Sequence, residues 1–244
     1  MSCLLYAIFA SPLPLGLEPP AGVAGLPVVV VNHGGLGAAI SEMAGPKAPA
    51  DVPSLVAHEQ VVEFFFRHRT VIPLRYGAMV GERREVTAVL DTHQTEYRAL
   101  LQALDGFAEM GIQLLIDGAP ARAKTDSTAV SPAQLPSNQP PGTSYLLAKK
   151  LSYRGADRMA ERESELAEVL CASLAGLFRR RKVERPTVRS EGLLSLYFLV
   201  PRSSVEEFRQ ASRRVLKNPP FKLLLSGPWP PYNFVDGSDG GAIL

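Results

Sequence analysis

Cysteine is scarce in this chain. Only Cys3 and Cys171 occur among 244 residues, too few to form a disulfide framework. Cys3 lies in a strand-like run and Cys171 in a helix-like run, so we expect both to be small, buried hydrophobic side chains. Because chains without disulfides are typical of a reducing compartment, the sequence predicts a cytoplasmic protein.

The chain also lacks a large charge of one sign and any long apolar run. Its formal net charge is +2, which is too small to indicate nucleic acid or an anionic membrane as a partner. No window approaches the length of apolar sequence that a membrane span requires, so we expect no lipid membrane contact. The opening residues 1–16 lack a basic n-region, and we do not expect them to be a signal peptide.

Patterns that would support catalysis or metal binding are missing as well. The four histidines do not have the spacing of a zinc site, and neither cysteine has a nucleophile signature around it. The glycine-rich run Gly34–Gly37 follows a strand-like segment, but Ile40 replaces the third glycine of a dinucleotide motif, which favours a turn. The sequence predicts no catalytic residue, no cofactor and no metal.

Length and composition predict an α+β protein of two domains. With 244 residues, 46% of them hydrophobic and 20% charged, the chain is long enough to form two cores. The first domain, residues 1–105, is expected to be a mixed sheet with helices. We predict its strands at 4–10, 26–32, 36–43 and 70–75, and one long or broken helix at 82–105. The four consecutive valines at 28–31 favour a central strand, whereas 36–43 has a short helix as its alternative.

A further helix is predicted over residues 53–67. Asp51 or Ser54 can cap its first turn, and Pro53 suits that position. Apolar side chains recur at helical spacing and form a stripe: Leu55, Val56, Val62, Phe65 and Phe66.

The second predicted domain, residues 106–235, has the order strand, helix, strand, strand, helix, strand. This is the order of a ferredoxin-like (βαββαβ) domain, and we expect its last strand to lie inside the sheet. The first helix is predicted as a long rod over 144–182, followed by strands at 183–190 and 193–200. In the second of these strands the alternation predicts Leu196 on one face and Leu199 on the other. Residues 118–141 are poor in large apolar side chains and predict a flexible insertion, and 236–244 predict a disordered tail.

The most unusual segment is Phe221–Val235, FKLLLSGPWPPYNFV. Its first six residues predict a strand buried on both faces, which Gly227-Pro228 should stop. Trp229, Tyr232 and Phe234 then alternate with prolines that restrict the backbone. These three aromatic side chains are the candidate partner contacts. Two interpretations stay open, because such a segment can pack over the protein's own core or anchor a partner.

Five segments carry a resemblance to a known family. They are LLYAIF at Leu4–Phe9, VIPLRYG at Val71–Gly77, EMGIQLLI at Glu109–Ile116, PGTSYLLAKK at Pro141–Lys150 and LLLSGPWPPYNFV at Leu223–Val235. Together, and in this order, they resemble the gas vesicle protein F/L family (GvpF/GvpL), most of all its F members. The last segment is the most specific, and residues 118–141 show no resemblance.

The resemblance implies an accessory protein of gas vesicles, the gas-filled protein shells that give aquatic microbes buoyancy. It implies a non-catalytic protein, associated with the vesicle shell in the cytoplasm. Its partners would be the small hydrophobic major shell protein (GvpA-like) and other accessory proteins. From the residues alone a second interpretation stays open, namely a small-molecule-binding or enzymatic α+β protein with a cleft between its domains.

Overall fold

The computed structural model of the protein describes residues 1–14, 16–116, 164–184, 193–215 and 221–235. It has a mixed α+β fold with two antiparallel sheets. The first sheet contains β1 Ser2–Ala10, β2 Val29–His33, β3 Leu36–Met43, β4 Val71–Pro73 and β5 Met79–Val80. The second contains β6 Phe107–Ile116, β7 Arg180–Glu184, β8 Leu193–Pro201 and β9 Phe221–Trp229. The helices are α1 Val52–His68, α2 Arg83–Thr92, α3 Gln94–Leu104, α4, described over 164–173, and α5 Val205–Val215.

β1 is the central strand of the first sheet. The strand order is β2-β3-β1-β4, with β5 also paired to β1, and every side chain from Cys3 to Phe9 is buried. The valine-rich strand β2 lies at the edge of this sheet, so our prediction that it is central was wrong. Its valines are half-buried, and β-branched side chains suit a half-buried edge as well as an interior strand. Residues 36–43 form a strand, and Gly34 and Gly35 form the predicted turn, with φ of 54° and 78°.

Helix α1 begins where the sequence predicts. The Asp51 carboxylate accepts a hydrogen bond from Ser54 N at 2.7 Å, and this bond lowers the pKa of Asp51. The buried side chains are Ser54, His58, Val61, Val62, Phe65 and Phe66. Leu55 and Val56 belong to the predicted stripe but are 45% and 48% exposed. At 100° per residue Val56 points away from the buried side, and Leu55 lies at its margin in the first turn.

The predicted helix over 82–105 is broken. Helices α2 and α3 meet at His93, and α3 ends before Gly106, whose φ of 77° is favourable only for glycine. Val86 and Leu90 of α2 and Tyr97 of α3 are fully buried, so both halves pack on the first sheet.

In the second sheet the strand order is β7-β8-β6-β9. Alternate β8 side chains point to opposite faces as predicted, with Leu196 and Phe198 in one apolar cluster and Leu199 in another. β9 lies at the edge, which corrects the prediction of an interior strand buried on both faces. Leu224 of β9 is 60% exposed. An apolar run alone does not distinguish a doubly buried strand from an edge strand with one open face.

The predicted helix over 144–182 is too long at its C-terminal end. Helical residues stop at 173, Gly176 has φ of 85°, and Arg180–Glu184 pair with β8 as strand β7. Leu177 and Phe178 extended the apolar stripe in the sequence, but they pack on the core from the connection between α4 and β7. The rest of this helix before 164, the insertion at 118–141, the strand beyond 184 and the tail at 236–244 lie outside the described residues.

The two sheets share their apolar core. One cluster joins Phe9 and Phe65 to Phe198 and Phe208, so side chains from both halves of the chain contact each other. Arg202, after β8, also contacts the first half, because its Nη2 donates to the carbonyl of Phe66 at 2.7 Å and its guanidinium lies 3.9 Å from the Phe66 ring centroid.

Candidate partner-contact surface

The C-terminal aromatic segment, residues 226–235, leaves the edge of the second sheet. β9 continues through Gly227-Pro228 to Trp229, which pairs with Glu109. The prediction that Gly227-Pro228 ends the strand was therefore wrong. Instead they occupy an irregularity in the ladder between Glu109 and Gly111. Gly227 has φ of 102°, and a Cβ there would lie 2.6 Å from the carbonyl oxygen of Glu109. Only glycine fits this position without strain.

A buried carboxylate holds the segment in place. Glu109 is 4% exposed, and its two oxygens accept hydrogen bonds from Asn233 N at 2.8 Å and from Asn233 Nδ2 at 2.7 Å. Burial raises the pKa of Glu109, and the two bonds from Asn233 oppose that shift. Since a buried carboxylate is costly without donors, this pair fixes the position of the segment.

Tyr232 ties the segment to helix α1. Its hydroxyl donates to the Glu59 carboxylate, with distances of 3.1 and 3.3 Å to the two oxygens. Burial and the neighbouring Glu59 charge raise the pKa of Tyr232 well above its ordinary value, so the hydroxyl remains a donor. The C-terminal segment and the first helix therefore lie side by side.

The three candidate aromatic side chains have different environments. Phe234 is only 3% exposed and packs in a cluster with Leu199, while the Arg180 guanidinium lies 5.5 Å from its ring centroid. In this conformation the Phe234 ring packs on the protein's own core. Tyr232 is half-buried, and Trp229 is 47% exposed. The geometry therefore gives a partner access to Trp229, partial access to Tyr232 and none to Phe234.

Sequence reasoning missed an exposed apolar face on α1. Val52, Leu55 and Val56 are exposed. Leu55 and Val56 follow Val52 by three and four residues, and Glu59 continues the same side of the helix. Through the bond from Tyr232 to Glu59, this face lies next to the aromatic segment. We call Leu55, Val56 and Trp229 together the apolar surface. The sequence does contain a sign of this exposed face, because the apolar side chains of α1 cover more of the helix circumference than one buried stripe needs.

The described residues contain no group of three or more metal-ligating side chains. Both cysteines are buried and unpaired, as expected. His58 is fully buried between the rings of Tyr6 and Tyr76, an environment typical of a core side chain. Within the same ranges, no helix has the length and hydropathy needed to cross a membrane.

Comparisons with known sequences give one consistent family. The chain matches the family described as gas vesicle synthesis protein GvpL/GvpF over residues 2–236. Gas vesicle protein F of Streptomyces sp. (strain CB03234) is 27% identical over 97% of this chain and 100% of its own length. Gas vesicle protein L2 of Halobacterium salinarum is 27% identical over 85% of this chain and 81% of its own.

Two crystal structures share the fold. GvpF from Anabaena sp. PCC7120 superposes with a TM-score of 0.74 at 22% identity, covering 99% of this chain and 98% of that one. GvpF from Microcystis aeruginosa gives 0.74 at 20% identity, covering 96% and 98%. These likenesses confirm the predicted α+β class.

Proposed function

Because this chain belongs to the gas vesicle synthesis protein GvpL/GvpF family, we propose that it binds the hydrophobic major shell protein (GvpA-like) during vesicle assembly. It acts as an accessory structural protein at the gas vesicle, in the cytoplasm, and it also contacts other accessory proteins. Its mechanism is adhesion to an apolar partner, with no catalytic step, cofactor, nucleic acid or lipid membrane.

The apolar surface is the observation that carries this proposal. Trp229 is 47% exposed, on a segment whose flanking residues are held by Glu109 and Glu59. A rigidly presented tryptophan loses little conformational entropy on binding, so more of its contact energy contributes to affinity. Leu55 and Val56 extend the apolar contact area on the neighbouring helix.

The expected contribution of Trp229 is large enough to change the measured affinity by more than tenfold. Covering the exposed half of one tryptophan side chain removes on the order of 100 Å² of apolar surface from water, which contributes about 2–3 kcal/mol. Tryptophan is also enriched among the residues that dominate binding energy at protein interfaces. Phe234 contributes indirectly in this proposal, because its packing fixes the end of the segment.

We propose that the chain is organised as two units, residues 1–105 and 106–235, with the boundary near Gly106. The strand order β7-β8-β6-β9 and the helix between β8 and β9 support a ferredoxin-like interpretation of the second unit. The core shared by the two sheets favours a fixed relative orientation.

Co-purification with the shell protein tests the proposal. Wild type, Trp229→Ala and the double variant Trp229→Ala, Leu55→Ala would each be tagged and co-expressed with the shell protein. We expect about tenfold less shell protein with the single variant and a further loss with the double variant. Val183→Ala is the matched control: Val183 is also a partly exposed apolar residue, 39% exposed, but it lies on β7 at the opposite edge of the second sheet.

Equal recovery of shell protein with wild type and Trp229→Ala would assign the aromatic segment to internal packing alone. If wild type itself recovered none, the proposed assembly partner would be wrong.

A further inference from the structure

A cavity of about 580 Å³ lies at the end of the first sheet, and no residue of the aromatic segment is among its lining residues. It is bounded by β1, the β2–β3 turn, the C-terminus of α1 and helix α3. Its lining residues are Ala10, Gly35, Leu36, Arg69, Thr70, Arg98, Leu101, Gln102 and Asp105. All of them belong to residues 1–105, so this is not a cleft between the two predicted domains. Its volume is within the range of small-ligand sites.

Arg98 on α3 reaches this cavity with most of its donors unused. Its Nη2 donates to the carbonyl of Gly34 at 2.7 Å, and Gln94 Nε2 donates to the same oxygen at 2.9 Å. A guanidinium has five N–H donors, and no carboxylate pairs with Arg98 among the described residues. The bond from Nη2 holds Arg98 at the hairpin turn, while the remaining donors of Arg98 stay available.

Arg69 supplies a second cation without an anionic partner among the described residues. Its Nη1 and Nη2 donate to the backbone carbonyls of Ala10 and Pro12, and its guanidinium lies 5.6 Å from the Phe9 ring centroid. Its Nε is buried and has no hydrogen-bond partner. Burial lowers the pKa of Arg69, although arginine remains charged in proteins. Neutral carbonyls position this cation but do not balance its charge.

Asp105 is the one acidic side chain of the lining. Its Oδ1 accepts a hydrogen bond from Thr70 Oγ1 at 2.6 Å, and neither arginine of the lining pairs with it. Two guanidinium groups against one carboxylate leave the lining with one excess positive charge. A bound monoanion would therefore neutralise the lining, whereas a dianion would leave it with one excess negative charge beside Asp105.

We propose that this cavity binds a carboxylate carried on an apolar body, with Arg98 and Arg69 as the recognising cations. The remaining donors of Arg98 match the two oxygens of a carboxylate in planar, paired geometry. Arg69, whose Nη atoms already donate to carbonyls, contributes its charge. Ala10, Leu36 and Leu101 provide the apolar wall on which the rest of the ligand lies. A free small acid and the C-terminal residue of a protein partner share this chemistry.

Methyl NMR of the full-length protein tests the proposal with three probes. The signals of Leu36 and Leu101 would be followed during titration with N-acetyl-leucine, with its uncharged amide N-acetyl-leucinamide, and with inorganic phosphate at neutral pH. We expect saturable shifts with N-acetyl-leucine at about millimolar concentration, at least tenfold weaker binding of phosphate, and no saturable shift with the amide. A hexapeptide ending in leucine, compared with its C-terminal amide, distinguishes the two sources: tighter binding than N-acetyl-leucine indicates a protein C-terminus, and equal or weaker binding a small acid.

Two variants test the role of the cations. Arg98→Gln should weaken binding of N-acetyl-leucine about tenfold or more, and its exposed position makes folding of the variant straightforward to verify from the remaining spectrum. Asp105→Asn should bring phosphate affinity closer to that of the carboxylate, because the repulsion is removed. Arg67→Gln is the control, since Arg67 is an exposed arginine that pairs with Glu63 outside the cavity. Equal shifts with the acid and the amide, or an unchanged affinity in folded Arg98→Gln, would overturn the proposal.

Discussion

Glu109 on β6 and Asn233 in the C-terminal segment are joined by two hydrogen bonds of 2.8 and 2.7 Å. Because the carboxylate is buried, it depends on these donors for the solvation that water would otherwise provide. Asn233→Ala removes the side-chain donor and should lower the free energy of unfolding by about 1.5–3 kcal/mol. Urea denaturation measures this, with exposed Gln60→Ala as a control expected within about 0.5 kcal/mol of wild type. Equal stability of the two variants would contradict the role of the pair.

The same carboxylate makes stability depend on pH in a defined direction. Burial raises the pKa of Glu109 above its ordinary value of 4.5, so the folded protein holds this proton more tightly than the unfolded chain does. The resulting stabilisation is fully present below the ordinary value and is lost as pH rises through the folded-state pKa. The free energy of unfolding of wild type minus that of Glu109→Gln should therefore fall as pH is raised from about 4 to 8. A difference that stays constant, or that rises with pH, would show that this residue does not titrate as described.

The glycine in the β9 ladder should not tolerate a side chain. Gly227→Ala forces an L-residue to adopt φ of 102° and places its Cβ 2.6 Å from the Glu109 carbonyl. We expect a loss of about 2–4 kcal/mol, from strain together with displacement of the segment. Gly45→Ala is the matched control, because a Cβ there meets no atom within 4 Å. Thermal unfolding measures the loss, and equal melting temperatures for both variants and wild type would contradict the prediction.

The bond between Tyr232 and Glu59 should stabilise the contact of the C-terminal segment with α1. Tyr232→Phe keeps the ring and removes the hydroxyl, so the free energy of unfolding should fall by about 0.5–1.5 kcal/mol. Because Glu59 is partly exposed, water replaces much of its lost bond, and the effect should be smaller than for Asn233→Ala. Glu59→Gln retains an acceptor, so it should lower the free energy of unfolding by less than Tyr232→Phe does. The reverse order of the two variants would argue against this hydrogen bond.

The sequence predicted correctly those elements that are determined by residues close to each other in the chain. Asp51 and its bond to Ser54 mark the start of α1, and the alternation through Leu196 and Leu199 predicts the two faces of β8. Strand order depends on partners distant in sequence, so the edge positions of β2 and β9 were not visible in their apolar composition.

The remaining errors have the same origin. The apolar stripe through Leu177 and Phe178 continues the pattern of α4, but ladder pairing with β8 draws the following residues into β7. At the candidate surface, the aromatic spacing singled out residues 226–235, and their contact with a partner stays a prediction. However, only the fold shows that Phe234 is buried and that Leu55 and Val56 stay exposed.

Direct contact between Trp229 and the shell protein is the central claim. A photoreactive phenylalanine analogue at position 229, irradiated during co-assembly with the shell protein and analysed by mass spectrometry, tests it most directly. The same analogue at position 183, on the opposite edge of the second sheet, is the matched control. We predict crosslinks to the shell protein from position 229 and at least tenfold fewer from position 183. Equal crosslinking from both positions, or none from position 229 while the shell protein co-purifies, would contradict the claim.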